Sequence, residues 1–306
     1  MGFIEAFTGA LGGSFADQWK DFYTVPATVS ATAGICPAVQ HRTDAGRGSN
    51  TKGSENIITN GSKIVIPEGF ALVTFENGAI TGFVAQAGGY IYTNDTSVHS
   101  QSFFTGGGLV ESVIRNSWER FKYGGIPGDQ QLAFYVNLKE IPNNKFGTQS
   151  PIYWDDSYLQ AQVGAITRGS YTLKISDPIL FVKGYVPAQY IVQNAAPFDF
   201  ADFGNQAAEQ LFNEVVQSLS AAFSKYTNDP DRNHRITGIQ SDSVGFAQSL
   251  SAAVEENYQW SSARGLAIIK TALASVEYDE TTKALLADVQ KADALSGSRG
   301  NAFLQQ

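Results

Sequence analysis

Apolar residues recur every three or four positions at the start of the chain: Phe3, Phe7, Leu11, Phe15, Trp19 and Phe22, with Ile4 beside them. That spacing predicts an amphipathic helix over residues 3–22. Gly9, Gly12 and Gly13 each weaken a free helix by ~1 kcal/mol relative to alanine, so it forms only against a surface. One such surface is the protein itself or a neighbouring subunit. The other is a bilayer interface, which suits Trp19 and the phenylalanines. Glu5, Asp17 and Asp21 against Lys20 oppose an anionic leaflet. No basic segment precedes the stripe and Glu5 interrupts it, which does not fit a secretory signal. The charge-free run from Phe22 to Gln40 approaches bilayer-spanning length. Pro26, Pro37 and four hydroxyl side chains (Thr24, Thr28, Ser30, Thr32) exclude a spanning helix there.

Residues 41–55 are rich in Gly, Ser, Asn and Thr and read as a loop or linker. The pattern then changes to strands. Ile57, Ile58 and Ile64–Ile66 end at Pro67. Residues 70–85 give two alternating runs joined by Asn77-Gly78, a strong hairpin signal because both turn positions take positive φ. Residues 88–93 predict a further strand. Residues 94–130 are irregular around one helix carrying Leu109, Val113, Ile114, Trp118 and Phe121. Strands return at 132–141, 160–168 and 170–176, the last two read as a hairpin turning at Gly169-Ser170, with Asp177-Pro178 closing the final one.

After Pro197 the period becomes helical. Leu211, Val215, Leu219, Ala222, Phe223 and Tyr226 predict one helix, and Phe246, Leu250, Val254 and Tyr258 a second. Residues 266–278 predict a late strand. Asp279 predicts the N-cap of a last helix carrying Leu285, Leu286, Val289, Ala292 and Leu295. The order, an N-terminal helix, a β-rich block with a helical insertion, then helix–helix–strand–helix, is α+β.

Composition adds two restrictions. Charged residues are 16% of the 306, below the roughly one quarter usual in soluble domains, and the net charge is −8. Sparse charge favours wide contact with sister subunits or lipid. Twenty-one basic residues scattered among 29 acidic ones argue against nucleic-acid binding, which needs clustered cations. Cys36 is the sole cysteine, so an internal disulfide is impossible, and His41, His99 and His234 stand far apart. No metal or other cofactor is expected.

The candidates for chemistry each have a bland reading. Residues 41–55 lack phosphate-loop spacing, and Gly106–Gly108 precede a helix with no following Lys or Thr to hold a nucleotide. Cys36, beside Pro37 in an apolar run, reads as a small buried thiol. Asp155 and Asp156 are adjacent, so in a strand they point to opposite faces. Glu255-Glu256 and Glu119-Arg120 read as solvated faces. No catalytic residue is expected.

The middle block carries a resemblance. It runs through Asn60–Gly69, Glu76-Asn77-Gly78, Gly88-Gly89-Tyr90, Arg120–Gly125, Tyr135–Ile141, Asn144–Thr148, Gly169-Ser170-Tyr171 and Asp177-Pro178. In order and spacing, over about residues 56–280, this resembles the bacterial "virion core protein-like" branch of the stomatin/prohibitin/flotillin (SPFH) superfamily. The stretch Asn137–Thr148 is its most specific piece. The resemblance implies an SPFH fold: an N-terminal helix and linker over 1–55, a β-rich first subdomain over 56–190, an α/β second subdomain over 191–278, and a C-terminal helix and tail over 279–306. It further implies a non-enzymatic homo-oligomeric scaffold, cytoplasmic and peripheral at the inner face of the cell membrane. Its partners would be other copies of itself, lipid and phage-shock-type proteins of membrane-stress systems. The chain departs from the pattern in two places: relatives carry C-terminal zinc-binding cysteines, and large-ring members carry long coiled coils. The membrane or subunit contact is expected on Phe3, Ile4, Phe7, Leu11, Phe15, Trp19 and Phe22. The alternative is a soluble phage- or virion-associated structural assembly protein.

Overall fold

A computed structural model describes residues 21–42, 56–92, 130–231 and 235–296. The chain is α+β and divides into two compact units, one formed by residues 1–139 with 175–207, the other by 140–174 with 208–306.

Among the described residues the first unit has ten strands, nine of them in its N-terminal part: β1 (Asp21–Thr24), β2 (Ala33–Pro37), β3 (Val39–Arg42), β4 (Ile57–Thr59), β5 (Lys63–Ile66), β6 (Phe70–Glu76), β7 (Ala79–Val84), β8 (Gly88–Ile91) and β9 (Gln130–Asn137). One sheet runs β3-β1-β5-β8. A second runs β2-β9-β6-β7, with β4 also on β9 and the two-residue β13 (Phe198–Asp199) on β2. Strand β6 is buried at six of its seven positions, so both of its faces are covered and it shows no polar alternation. Phe70 and Leu72 join one core with Ile64 and Ile66 of the other sheet, while Phe75 packs edge-on against Phe134 at 5.5 Å. Tyr135 ties the two sheets together: its fully buried hydroxyl donates to the Val65 carbonyl at 2.8 Å. The hairpin expected at Asn77-Gly78 is present between β6 and β7, with φ of 49° and 80° at the two turn residues.

Two expectations change here. The run 22–40 is not merely charge-free chain; it folds as β1 to β3, joined by a turn at 27–32. Asp177-Pro178 closes a strand and also starts a helix, α1 (Pro178–Gly184): Asp177 accepts from the Leu180 amide at 2.9 Å, and Pro178 occupies a position whose amide would have no helical partner. Phe181 of α1 then meets Phe198 and Phe200 in a cluster of rings at 5.1–5.9 Å.

The second unit has one sheet of β10 (Ile141–Gly147), β11 (Ile152–Asp156), β12 (Ala161–Ile175) and β14 (Leu266–Tyr278). Its helices are α2 (Gln206–Thr227), α3 (Ser243–Tyr258), α4 (Trp260–Arg264) and α5 (Glu280–Ser296). The two helices, the late strand and the Asp279-capped final helix all stand where their periodicity places them; Asp279 accepts from the Thr282 amide at 2.8 Å. Trp154 on β11 stacks on Phe223 of α2 at 4.7 Å, and Phe223 packs against Phe246 of α3 at 4.9 Å.

The hairpin expected at Gly169-Ser170 does not exist. β12 runs unbroken through it for 15 residues, pairing with β11 at one end and β10 at the other. Gly169 answers a different need. A Cβ there would collide with the Ala272 carbonyl oxygen of β14 and stand 2.9 Å from the Phe146 ring. The glycine lets a neighbouring backbone approach. The span 56–190 therefore supplies strands to both units, because β10 and β11 pair with β12, and β12 with β14, rather than with β1 to β9. The helix expected around 109–121 lies outside the described residues.

Replacing Gly169 with valine should lower stability by ~1–3 kcal/mol, the usual cost of overpacking. Gly169→Asn, which a turn would tolerate, should lose as much. The check is the urea midpoint at unchanged slope.

Candidate functional site

Phe3, Ile4, Phe7, Leu11, Phe15 and Trp19 lie outside the described residues. Phe22 does not continue a helical stripe. It sits in β1, buried, with its ring stacked on His41 of β3 at 4.7 Å. Alternation along β1 puts Phe22 and Thr24 inside and Asp21 outside.

The candidate chemical groups are dispersed. Cys36 is buried in β2, and burial pushes its thiol up to about 12, an inert state for a nucleophile. Asp155 and Asp156 point to opposite faces of β11, the first exposed and the second buried. Asp156 accepts from the Leu159 amide at 2.8 Å and so closes the turn after its strand. Its other oxygen has no hydrogen-bond partner among the described residues. Glu255 and Glu256 are not one solvated pair. Glu256 pairs with Lys225 on the surface at 2.9 Å. Glu255 turns back to accept from the Ser261 and Ser262 amides, at 2.6 and 3.2 Å, at the start of α4. A hydrogen bond from the Ser262 side chain is the main cause holding its carboxyl below the ordinary range, with the two amides adding to it. Glu119-Arg120 lies outside the described residues. Among the described residues no three His, Cys, Asp or Glu side chains stand together as metal ligands.

One charged cluster was missed by the sequence reading. Glu214 is buried on α2 and is bonded from four directions: by Arg264 Nη1 and Nη2 at 2.6 and 3.1 Å, Trp260 Nε1 at 2.7 Å and Gln210 Nε2 at 2.8 Å. Such a pair survives burial because every lone pair is satisfied. Tyr171 on β12 lies nearby; its phenol is raised first by burial and then by the Glu214 charge. The signal was present in sequence: Glu214 falls on the inward stripe of α2, between Leu211 and Ser218, where a charge requires partners. The full set of donors makes this a structural clamp, with no lone pair left for a substrate.

A cleft of about 490 Å³ opens on the first unit, lined by Asp21, Tyr23, Gln40, Thr59, Gly61, Ser62 and Lys63. It offers one cation, one anion and several neutral hydrogen-bonding groups, without a paired nucleophile and base. Elsewhere, Phe203 is fully exposed on a loop held by local bonds from Gly204 to Asp202 and from Asn205 to Asp199. No helix of the described residues is long and apolar enough to cross a membrane.

No family model matches the chain, and no curated protein matches it.

Two outcomes follow from this geometry. Removing the clamp's anion with Glu214→Leu strands Arg264 partly buried and should cost about 3–5 kcal/mol, whereas Glu256→Leu on the surface should cost under about 1 kcal/mol; thermal unfolding checks both. Cys36 should stay unlabelled by a maleimide at pH 8 and label fully in denaturant. Its folded pKa is raised, so it adds stability below pH 9, and that stability falls as pH climbs from 9 towards 12; Tyr90, Tyr92 and Tyr278, each raised to about 12 mainly by burial, act in the same direction from pH 10.

Proposed function

We propose that this protein is a non-enzymatic scaffold of the SPFH type that assembles with copies of itself at a membrane. The observation that carries the reading is where the resemblance residues fall. Asn60–Gly69 form β5 and its flanking turns, Glu76-Asn77-Gly78 the β6–β7 hairpin, Gly88-Gly89-Tyr90 the β8 edge, Tyr135–Ile141 the passage from β9 to β10, and Asp177-Pro178 the cap of α1. These positions frame the fold. Of them only Gly61, Ser62 and Lys63 line the cleft of the first unit; the others do not gather round it, as catalytic residues do. A β-rich unit whose chain leads on to helix, helix, strand and helix is what an SPFH domain supplies.

On this reading the protein is cytoplasmic and peripheral at the inner face of the cell membrane, with lipid and phage-shock-type proteins as partners. The stripe from Phe3 to Trp19 makes the contact with lipid or with a neighbouring subunit. Phe22 is removed from it, because its ring is already covered. Burying one such side chain is worth roughly 1.5–3 kcal/mol, so several must act together. With acidic residues around Lys20, lipid binding is apolar and nearly insensitive to salt.

The test is light scattering and liposome flotation on the full chain and on a chain lacking residues 1–20, which leaves β1 whole. An oligomer that floats, with flotation lost in the truncated form, supports the scaffold. An oligomer that never floats favours the soluble structural assembly protein. A 33 kDa species with and without lipid overturns both.

A further inference from the structure

The sheet of the second unit treats its two edges differently. On one side of β12, the edge of β11 is closed by α2. Ser220 Oγ donates to the Tyr153 carbonyl, Asn228 Nδ2 donates to the Asp155 carbonyl at 2.7 Å, and Asn228 Oδ1 accepts from the Ser157 amide at 2.7 Å. Further along the same edge, β10 carries Pro142 and a bulge at Asn143, whose φ is 63°. Side-chain caps, proline and bulges are the devices that stop a sheet from adding strands.

The other edge is β14, and it has none of them. Its 13 residues contain no proline or glycine, and β12 is its only strand partner among the described residues. Thr271 anchors it to α3 through the Ser243 carbonyl at 2.9 Å. Beyond that point the strand emerges: Ala272, Ala274 and Glu277 are exposed and Leu273, Ser275 and Val276 half-buried. Among the described residues, no bond from outside the sheet reaches the backbone between 272 and 277.

We propose that this edge pairs with the same edge of a second copy, β14 to β14, antiparallel about a two-fold axis at Leu273. The inference rests on the homo-oligomer reading above and names its contact. Three features favour a second copy. A sheet with one closed and one open edge can be extended only once, and isologous pairing closes both open edges and stops at two. The segment 271–276 is uncharged, so two chains of net charge −8 can approach there. With the axis at Leu273, Ala272 of one copy faces Ala274 of the other, small side chains that let the strands close.

The experiment uses the full chain with paired substitutions at these two exposed alanines. Ala272→Lys with Ala274→Lys, and separately Ala272→Glu with Ala274→Glu, should each halve the mass seen by light scattering and weaken self-association at least about tenfold. Mixing the lysine and glutamate forms should restore it. If both double variants keep the wild-type mass, the contact lies elsewhere and this inference fails while the homo-oligomer reading stands. Monomeric variants that are folded by circular dichroism yet do not recombine on mixing also overturn it. A wild-type chain of 33 kDa overturns inference and reading together.

Discussion

The first unit depends on one hydroxyl. Two sheets packed face to face are held mainly by non-directional apolar contact, which fixes their distance better than their registry. Tyr135 supplies the direction. Its phenol crosses the core to the Val65 carbonyl and approaches the Tyr23 carbonyl at 3.3 Å, so the central strand of one sheet is bonded to the backbone of two strands of the other. In a core of isoleucine, leucine and phenylalanine, an unmade bond at that phenol would cost about 1–3 kcal/mol. That penalty favours one sliding position of the sheets over its neighbours.

The second unit solves the same problem with charge. Glu214 is bound by the fork of Arg264 and by the indole of Trp260, so the short helix α4 is bolted to the long helix α2. Trp260 is held in turn against Tyr171 of β12 at 6.3 Å. Apolar packing of α2 and α3 on the sheet would tolerate small rotations; a four-fold coordinated carboxylate does not.

How much of this could be read from the chain varies with the kind of signal. Asn77-Gly78 and Asp279 were legible because a local conformational demand picks out few residue types, whatever the rest of the fold does. The helices after Pro197 were legible because one face of each is buried, which imprints a period of three to four. β2 was not, since burial on both faces erases alternation. Gly169 misled for a related reason: a glycine that admits a neighbouring backbone has the same letter as a glycine that turns a chain, and the distinction lies 103 residues away at Ala272. Of the anticipated contact site only Phe22 falls among the described residues, and it followed the alternation of a strand. Glu214 stood on the inward stripe of α2 and so called for partners, but which partners was hidden, because Trp260 and Arg264 are about fifty positions downstream.

The interleaving of the two units has a consequence for how the chain is made. Ile35 of β2 pairs with Phe198 of β13, a separation of 163 residues, and the whole of β10 to β12 lies between them. A ribosome adding about 5–20 residues per second takes roughly ten to thirty seconds to cover that distance. Throughout that interval the edge of β2 waits unpaired, its buried face already committed to β9 only once residue 136 has emerged. The first-made strands are thus among the last to be completed, and the nascent protein carries an unfinished sheet edge for most of its synthesis.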